Sequence, residues 1–172
     1  MQYNLTLINK RINKTKLVIK MNTPNLFAPC GTYCGVCVWR VAYITKDEKL
    51  KAKLCKMVPG MKPEQIVCDG CRSDTPLYLC EMCKMKKCVS KKEDVESCAE
   101  CDEFPCKIIE RYPFKEFIVR VRWDAEYRKK HGKEKWLEKT IEMNTCPDCK
   151  TLCHWKASVC KSCGKELDER YI

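Results

Sequence analysis

The stretch from Cys146 to Gly164, CPDCKTLCHWKASVCKSCG, does most to decide the expected fold. It holds two Cys-x-x-Cys pairs separated by ten residues. Cysteines at this spacing can turn both sulfur atoms towards one ion, and two such pairs complete a tetrahedral four-thiolate site. We therefore predict a zinc ribbon over residues 146–172. Its ligands are Cys146, Cys149, Cys160 and Cys163, and Gly164 is the left-handed residue that follows the second knuckle, the tight turn around a cysteine pair.

Two further zinc-ligand types lie between these pairs, at Cys153 and His154. Either side chain is able to bind zinc, but the four cysteines already fill a tetrahedral site. We expect Cys153 and His154 to lie beside the site without binding the metal.

Six Cys-x-x-Cys pairs occur in the chain, and 17 of its 172 residues are cysteine. The four pairs before the C-terminal stretch are Cys34/Cys37, Cys68/Cys71, Cys80/Cys83 and Cys98/Cys101. The simplest assignment joins the first two pairs in one site and the last two in another, which leaves Cys30, Cys88 and Cys106 unused. In a second assignment Cys88 or Cys106 replaces a member of a pair. In a third the thiolates hold an iron–sulfur cluster. Zinc and iron–sulfur clusters both accept all-sulfur ligation, so these alternatives stay open.

A cysteine unit is repeated within this region. Cys80-x2-Cys83-x4-Cys88 recurs as Cys98-x2-Cys101-x4-Cys106. A repeated unit predicts two similar loops that face one another around metal.

Three helices are predicted. The residues from Thr45 to Glu48 match a capping box, Leu50 and Leu54 follow at helical spacing, and Pro59-Gly60 ends the helix. We expect Cys55, which falls on this helix, to be a small buried hydrophobic residue rather than a ligand.

The other two helices form a pair in the cysteine-free segment. One begins after Pro113 and ends at Gly132, and the second runs from Lys133 to Met143. Their apolar sides are expected to hold Phe114, Phe117, Ile118, Val121, Trp136, Leu137 and Ile141. We expect the basic residues of the first helix to form a solvated face rather than a binding patch; these are Arg120, Arg122, Arg128, Lys129 and Lys130.

The cysteine count is odd, which argues against a complete set of disulfides. The N-terminus shows no signal peptide, and no stretch approaches the roughly 20 apolar residues of a membrane span. Thiolates bound to metal in a reducing cytoplasm are therefore the expected state.

The formal net charge of +11 overstates the basic character of the protein. Residues 1–20 carry five basic residues and no acid. Each four-thiolate site that binds a divalent ion adds a charge of about −2, so three sites bring the remainder close to neutral. This weakens the prediction of a nucleic-acid partner.

The chain divides into four predicted segments, with a basic tail at 1–27 and a cysteine-rich module at 28–106. A helical segment at 107–145 and the ribbon at 146–172 complete it. The stretch Met21-Asn22-Thr23-Pro24 is itself compatible with a start of translation, and we hypothesise that the working protein begins near Met21; a start at Met1 is the alternative.

Three stretches resemble the signatures of one family. They are Ala28-Pro-Cys-Gly-Thr-Tyr-Cys-Gly-Val-Cys37, Cys68-Asp-Gly-Cys-Arg-Ser73 and Ser97-Cys-Ala-Glu-Cys-Asp-Glu-Phe-Pro-Cys106. The family is a cysteine-rich domain of unknown function from archaea and anaerobic bacteria that is presumed to bind zinc. The resemblance extends from Ala28 to about Gly164 and implies no reaction, while anaerobic hosts favour the iron–sulfur alternative. It implies a shared pattern of Cys30, Cys34, Cys37, Cys68, Cys71, Cys80, Cys88, Cys98, Cys101 and Cys106.

Together these features predict a small metal-stabilised α-rich (α+β) protein with a cysteine-knuckle module, a helical pair and a C-terminal zinc ribbon. We predict about three zinc ions and a cytoplasmic interaction or adaptor module that binds an unknown protein partner. One alternative is an iron–sulfur protein in electron transfer, sensing or metal-centre assembly. Another is a nucleic-acid or ribosome-associated ribbon protein. No residue is assigned a catalytic role, and no membrane contact is expected.

Overall fold

A computed structural model describes residues 25–171. Most of the predicted basic tail, with the hypothesised start near Met21, lies outside the described residues. Those predictions therefore stay predictions.

Helices dominate the described part of the chain. They are α1 (Val38–Ile44), α2 (Glu48–Cys55), α3 (Tyr78–Glu81), α4 (Lys84–Val89), α5 (Lys107–Glu110), α6 (Lys115–His131) and α7 (Lys133–Asn144). Single 3-10 turns occupy Cys34–Val36, Pro63–Gln65 and Cys98–Glu100. Between residues 25 and 171, β structure is limited to isolated bridges that join Phe27 to Tyr33, Thr145 to Leu152 and Val159 to Glu166. The α-rich fold class is confirmed in this coarse form.

None of the helices in the described range is long and apolar enough to cross a lipid bilayer.

The predicted helical pair is confirmed as α6 and α7. Gly132 separates the two helices with φ +84° and ψ 166°, a region that is essentially restricted to glycine. Trp136 of α7 is fully buried, as expected for its apolar side. Ile141 and Phe114 are instead among the exposed apolar residues.

The expectation of a solvated basic face is wrong for two of its five residues. Arg120 and Arg128 are buried, whereas Arg122, Lys129 and Lys130 are exposed. The two arginines tolerate burial because each has a carboxylate partner, Asp124 for Arg120 and Glu100 for Arg128.

The first predicted helix exists as α2, but its cap is not Thr45. Asp47 is the N-cap, and its side chain accepts a hydrogen bond from the Leu50 backbone at 3.1 Å. The Thr45 hydroxyl instead donates to the Val41 carbonyl at the end of α1, a helix that the sequence pattern did not predict. Helix α2 ends at Cys55, four residues before Pro59.

Two apolar clusters lie in the cysteine-rich segment and reach the rest of the fold. One contains Cys30, Ile109 and the α6 residues Ile118 and Val121. The other contains Leu54, Ile66 and Leu77, and Trp155 from the C-terminal segment packs against it. The Trp155 backbone also donates to the Val36 carbonyl at 2.9 Å. Contacts therefore cross the boundaries of the predicted segments.

Candidate metal centres

The four predicted C-terminal ligands come together in the structure. The sulfur atoms of Cys146 and Cys163 are 3.6 Å apart, as are those of Cys149 and Cys160. All four sulfur atoms lie within 4.8 Å of one another. This tetra-cysteine group has the geometry to hold a metal.

The backbone around each pair follows the same path. The amide of Lys150 donates to the Cys146 carbonyl at 3.1 Å, and the amide of Gly164 donates to the Cys160 carbonyl at 2.8 Å. Gly164 has φ +76°, which confirms the predicted left-handed residue. Lys150 occupies the equivalent position with φ +59° and was missed, although its place directly after Cys149 marks it in the sequence. The first cysteine of each pair is buried and the second is exposed.

Local hydrogen bonding favours the metal-binding form of one ligand. The sulfur of Cys149 and the hydroxyl of Thr151 are hydrogen-bonded at 3.3 Å. This contact is the main cause that lowers the pKa of Cys149 to about 6. A lowered pKa favours the thiolate, which is the species that binds metal.

Cys153 and His154 lie beside the tetra-cysteine group, and neither belongs to it. Cys153 is buried, and its thiol contacts the Thr151 carbonyl at 3.6 Å. Burial lowers the pKa of His154 to about 4, and its Nδ1 atom is buried without a hydrogen-bond partner.

A second set of cysteines meets in the N-terminal part of the fold. The sulfur of Cys71 lies 3.7 Å from that of Cys80. A side-chain hydrogen bond between Cys34 and Cys71 is the largest cause that raises the pKa of Cys34. Cys34, Cys71 and Cys80 are therefore neighbours. The structure places Cys80 against Cys71, which the simplest sequence assignment put in the other site.

The remaining cysteines of this set surround that contact. Burial raises the pKa of Cys30 to about 12, and the negative charges of Cys34 and Cys83 add to the effect. Burial also raises the pKa of Cys37, and of Cys68 to about 11, with smaller effects from Cys34 and Cys37. Several thiols therefore share one buried region and oppose each other's ionisation, which a bound cation would relieve.

A third set lines one small cavity of about 20 Å³. Its members are Cys88, Cys98, Cys101 and Cys106. Burial raises the pKa of Cys98 to about 12, and charge repulsion contributes, first from Cys30 and then from Cys106 and Cys88.

The internal repeat does not produce two copies of one loop. Cys88 lies within α4, whereas Cys106 lies before the first residue of α5. Pro105 explains the difference, because a proline disfavours helical backbone in the residue before it. Cys88 and Cys106 do face the same cavity, but Cys80 and Cys83 do not line it.

Comparison with known families gives one result. Residues 26–111 match the model of a family described as proteins of unknown function, DUF3795. The match covers half of the chain. The chain belongs to this family. No curated protein and no solved structure matches it.

The matched segment of this DUF3795 protein holds the second and third cysteine sets. The match ends at Arg111, so it is shorter than the resemblance drawn from the sequence, which extended to about Gly164. Helices α6 and α7 and the C-terminal tetra-cysteine group lie beyond it.

Proposed function

We propose that this DUF3795 protein is a zinc-binding interaction module whose thiolate sites organise a binding surface. The observation that carries the proposal is the tetra-cysteine group, whose four sulfur atoms lie within 4.8 Å of one another. Zinc–sulfur bonds of about 2.3 Å place the ligands of a tetrahedral ion about 3.8 Å apart. The contacts of 3.6 Å are close to that value, which supports a single ion in a zinc ribbon.

The ligand set favours a structural rather than a catalytic role for this ion. Four thiolates fill the tetrahedral positions, whereas catalytic zinc sites keep one position open for water or substrate. A further zinc ion near Cys34, Cys71 and Cys80 would stabilise the fold of the family segment in the same way. Thiolate ligation fits a reducing cytoplasmic environment.

An exposed apolar groove supports the interaction role. It has a volume of about 550 Å³ and includes Met57, Met82 and Phe114. Met82 is 60% exposed, and methionine side chains adapt readily to varied apolar partners. Lys84, Lys107 and Arg111 also line the groove. This combination fits a partner segment that is apolar and carries acidic residues.

Replacement of the bound metal by Co(II) tests the zinc proposal. Co(II) bound by four thiolates in a tetrahedron gives strong visible bands. We expect these bands in the wild-type protein and a partial loss in the Cys146→Ser, Cys149→Ser variant, with Cys55→Ser as the control. An unchanged spectrum in the double variant would contradict a metal site at the tetra-cysteine group.

A photo-reactive residue tests the groove. It is placed at Met82 or, as a control, at Val159, which is exposed at 49% in the C-terminal segment. We expect cross-links from position 82 to apolar, acidic segments of a single partner protein. The same products from both positions, or none from position 82, would contradict a partner in the groove.

One observation favours the iron–sulfur alternative in the family segment. Seven cysteines belong to the second set, which is more than a single tetrahedral ion requires; they are Cys30, Cys34, Cys37, Cys68, Cys71, Cys80 and Cys83. Iron–sulfur clusters are also held by cysteine thiolates and would support electron transfer, sensing or metal-centre assembly. Such a protein is brown and loses its colour in air, whereas a zinc protein is colourless.

A further inference from the structure

Four cysteines from three separate elements line one small cavity. Cys88 comes from α4, Cys98 and Cys101 come from the turn at Cys98–Glu100 and its end, and Cys106 comes from the start of α5. The cavity of about 20 Å³ has room for about one water-sized atom. A single metal ion is of that size.

The cavity wall is apolar except at Lys92 and Glu103. Met85, Val89, Phe104 and Ile109 line it together with the cysteines. The Lys92 ammonium donates to the Glu103 carboxylate at 2.7 Å and to the Cys101 sulfur at 3.3 Å. An ammonium group gains little from a neutral thiol, but it forms a charge-assisted hydrogen bond with a thiolate. Lys92 therefore places a positive charge beside one of the four sulfur atoms.

We propose that Cys88, Cys98, Cys101 and Cys106 bind a second zinc ion, separate from the C-terminal one. This site extends the proposed zinc-binding function and lies within the family segment. The net charge of a zinc ion with four thiolates is about −2, and Lys92 lies where it offsets part of that charge.

The sulfur atoms must move closer together when the ion binds. Within the described range, the C-terminal tetra-cysteine group is the only set of three or more such ligands whose atoms all lie within 4.8 Å. Rotation of a cysteine side chain about χ1 moves its sulfur without moving the backbone, and the cavity provides space for that movement.

The site would join the family segment to α6. Arg128 of α6 donates to the Ser97 hydroxyl at 3.3 Å and pairs with Glu100, on either side of Cys98. The backbone amide of Cys98 donates to the Pro29 carbonyl at 2.8 Å. An ion bound here would therefore fix a turn that already contacts both the N-terminal loop and the helical pair.

Zinc content per chain tests the proposal in the full-length protein. The Cys98→Ser, Cys101→Ser variant is compared with the Cys146→Ser, Cys149→Ser variant, with the combination of both, and with Cys55→Ser as the control. We expect each double variant to lose one zinc ion, the combination to lose two, and Cys55→Ser to lose none. A full zinc content in the Cys98, Cys101 variant would overturn the cavity site. Failure of the C-terminal site would appear separately, in the Cys146, Cys149 variant.

A single substitution near the site tests the proposal if the Cys98→Ser, Cys101→Ser variant does not fold. Lys92→Gln removes the hydrogen bond to Cys101 together with the ion pair to Glu103, and Lys91→Gln removes an exposed neighbouring charge without a described side-chain contact. Substitution of a residue that hydrogen-bonds to a metal ligand typically lowers the metal affinity by about 10-fold or more. We expect one zinc ion to be lost about 10-fold faster to a chelator in Lys92→Gln, and at an unchanged rate in Lys91→Gln. Equal rates in the two variants, or iron and sulfide in place of this zinc ion, would overturn the proposal.

Discussion

Single buried charges connect the helical pair to the cysteine-rich segment. Arg120 donates to Asp124 at 3.2 Å and to the Tyr33 carbonyl at 3.1 Å, and Trp136 of α7 donates to Asp124 at 2.6 Å. The sequence shows the charges but not their burial, because residues 120 and 124 lie at the same i, i+4 spacing whether the pair is buried or exposed. Only the tertiary contacts distinguish a buried ion pair from a solvated face.

Asp124→Asn tests this buried pair. The change leaves the charge of Arg120 without its partner inside the protein, so we expect the free energy of unfolding to fall by about 3–5 kcal/mol. Urea-induced unfolding of the zinc-loaded protein measures the loss. Glu126→Gln, an exposed change on the same helix, is the control and is expected to stay within about 0.5 kcal/mol. Equal stability of the two variants would contradict the account.

The burial of His154 leads to a prediction about its protonation state. Burial lowers its pKa from the ordinary value of 6.5 to about 4, so folding favours the neutral imidazole. The unfolded chain binds a proton at His154 more readily than the folded protein does. The free energy of unfolding is therefore highest above about pH 6.5 and decreases as the pH falls towards 4. An NMR titration, with the second imidazole signal removed by His131→Gln, should find His154 neutral at pH 5. A midpoint near pH 6.5 would contradict its burial.

The sequence pattern predicts the long helices more clearly than the short ones. Helices α6 and α7 have 17 and 12 residues, with Pro113 before the first and Gly132 between the two, so their pattern is clear. Helices α3, α4 and α5 have four to six residues, which is too short to show a helical period.

The C-terminal ligands are adjacent in sequence and were predicted. The N-terminal sets depend on which distant segments meet, and spacing alone does not determine that.

Gly132→Ala tests the junction between α6 and α7. A side chain at φ +84° and ψ 166° is strained, which costs about 1–3 kcal/mol. We expect Gly132→Ala to lower the midpoint of thermal unfolding. The control, Lys135→Ala at an exposed position of α7, should leave the midpoint nearly unchanged. A thermal midpoint for Gly132→Ala equal to that of Lys135→Ala would show that the junction does not need glycine.

The Cys146→Ser, Cys149→Ser variant tests the C-terminal segment as an element. Its secondary structure among the described residues is limited to isolated bridges and turns, so the metal is expected to supply much of the order around the two cysteine pairs. Hydrogen exchange should become fast across residues 146–167 and stay slow across the centre of α6. Protection of residues 146–167 as strong as in the wild type would contradict a structural metal there.

At the scale of the whole molecule, metal ions would supplement modest apolar clusters. One third of the residues are charged, and the chain has four Trp and four Phe. A structural zinc ion contributes about 10–16 kcal/mol to the folding of small peptides at neutral pH. Three cysteine sets lie at three places in the fold, and their proposed ions would each fix loops that the helices alone do not hold.

The most direct measurement is elemental analysis, with a visible absorption spectrum, of the full-length protein purified without air. We predict about three zinc ions per chain, one for each cysteine set, and no visible absorption band. Iron and sulfide with visible absorption, or a chain that folds without any metal, would contradict this prediction.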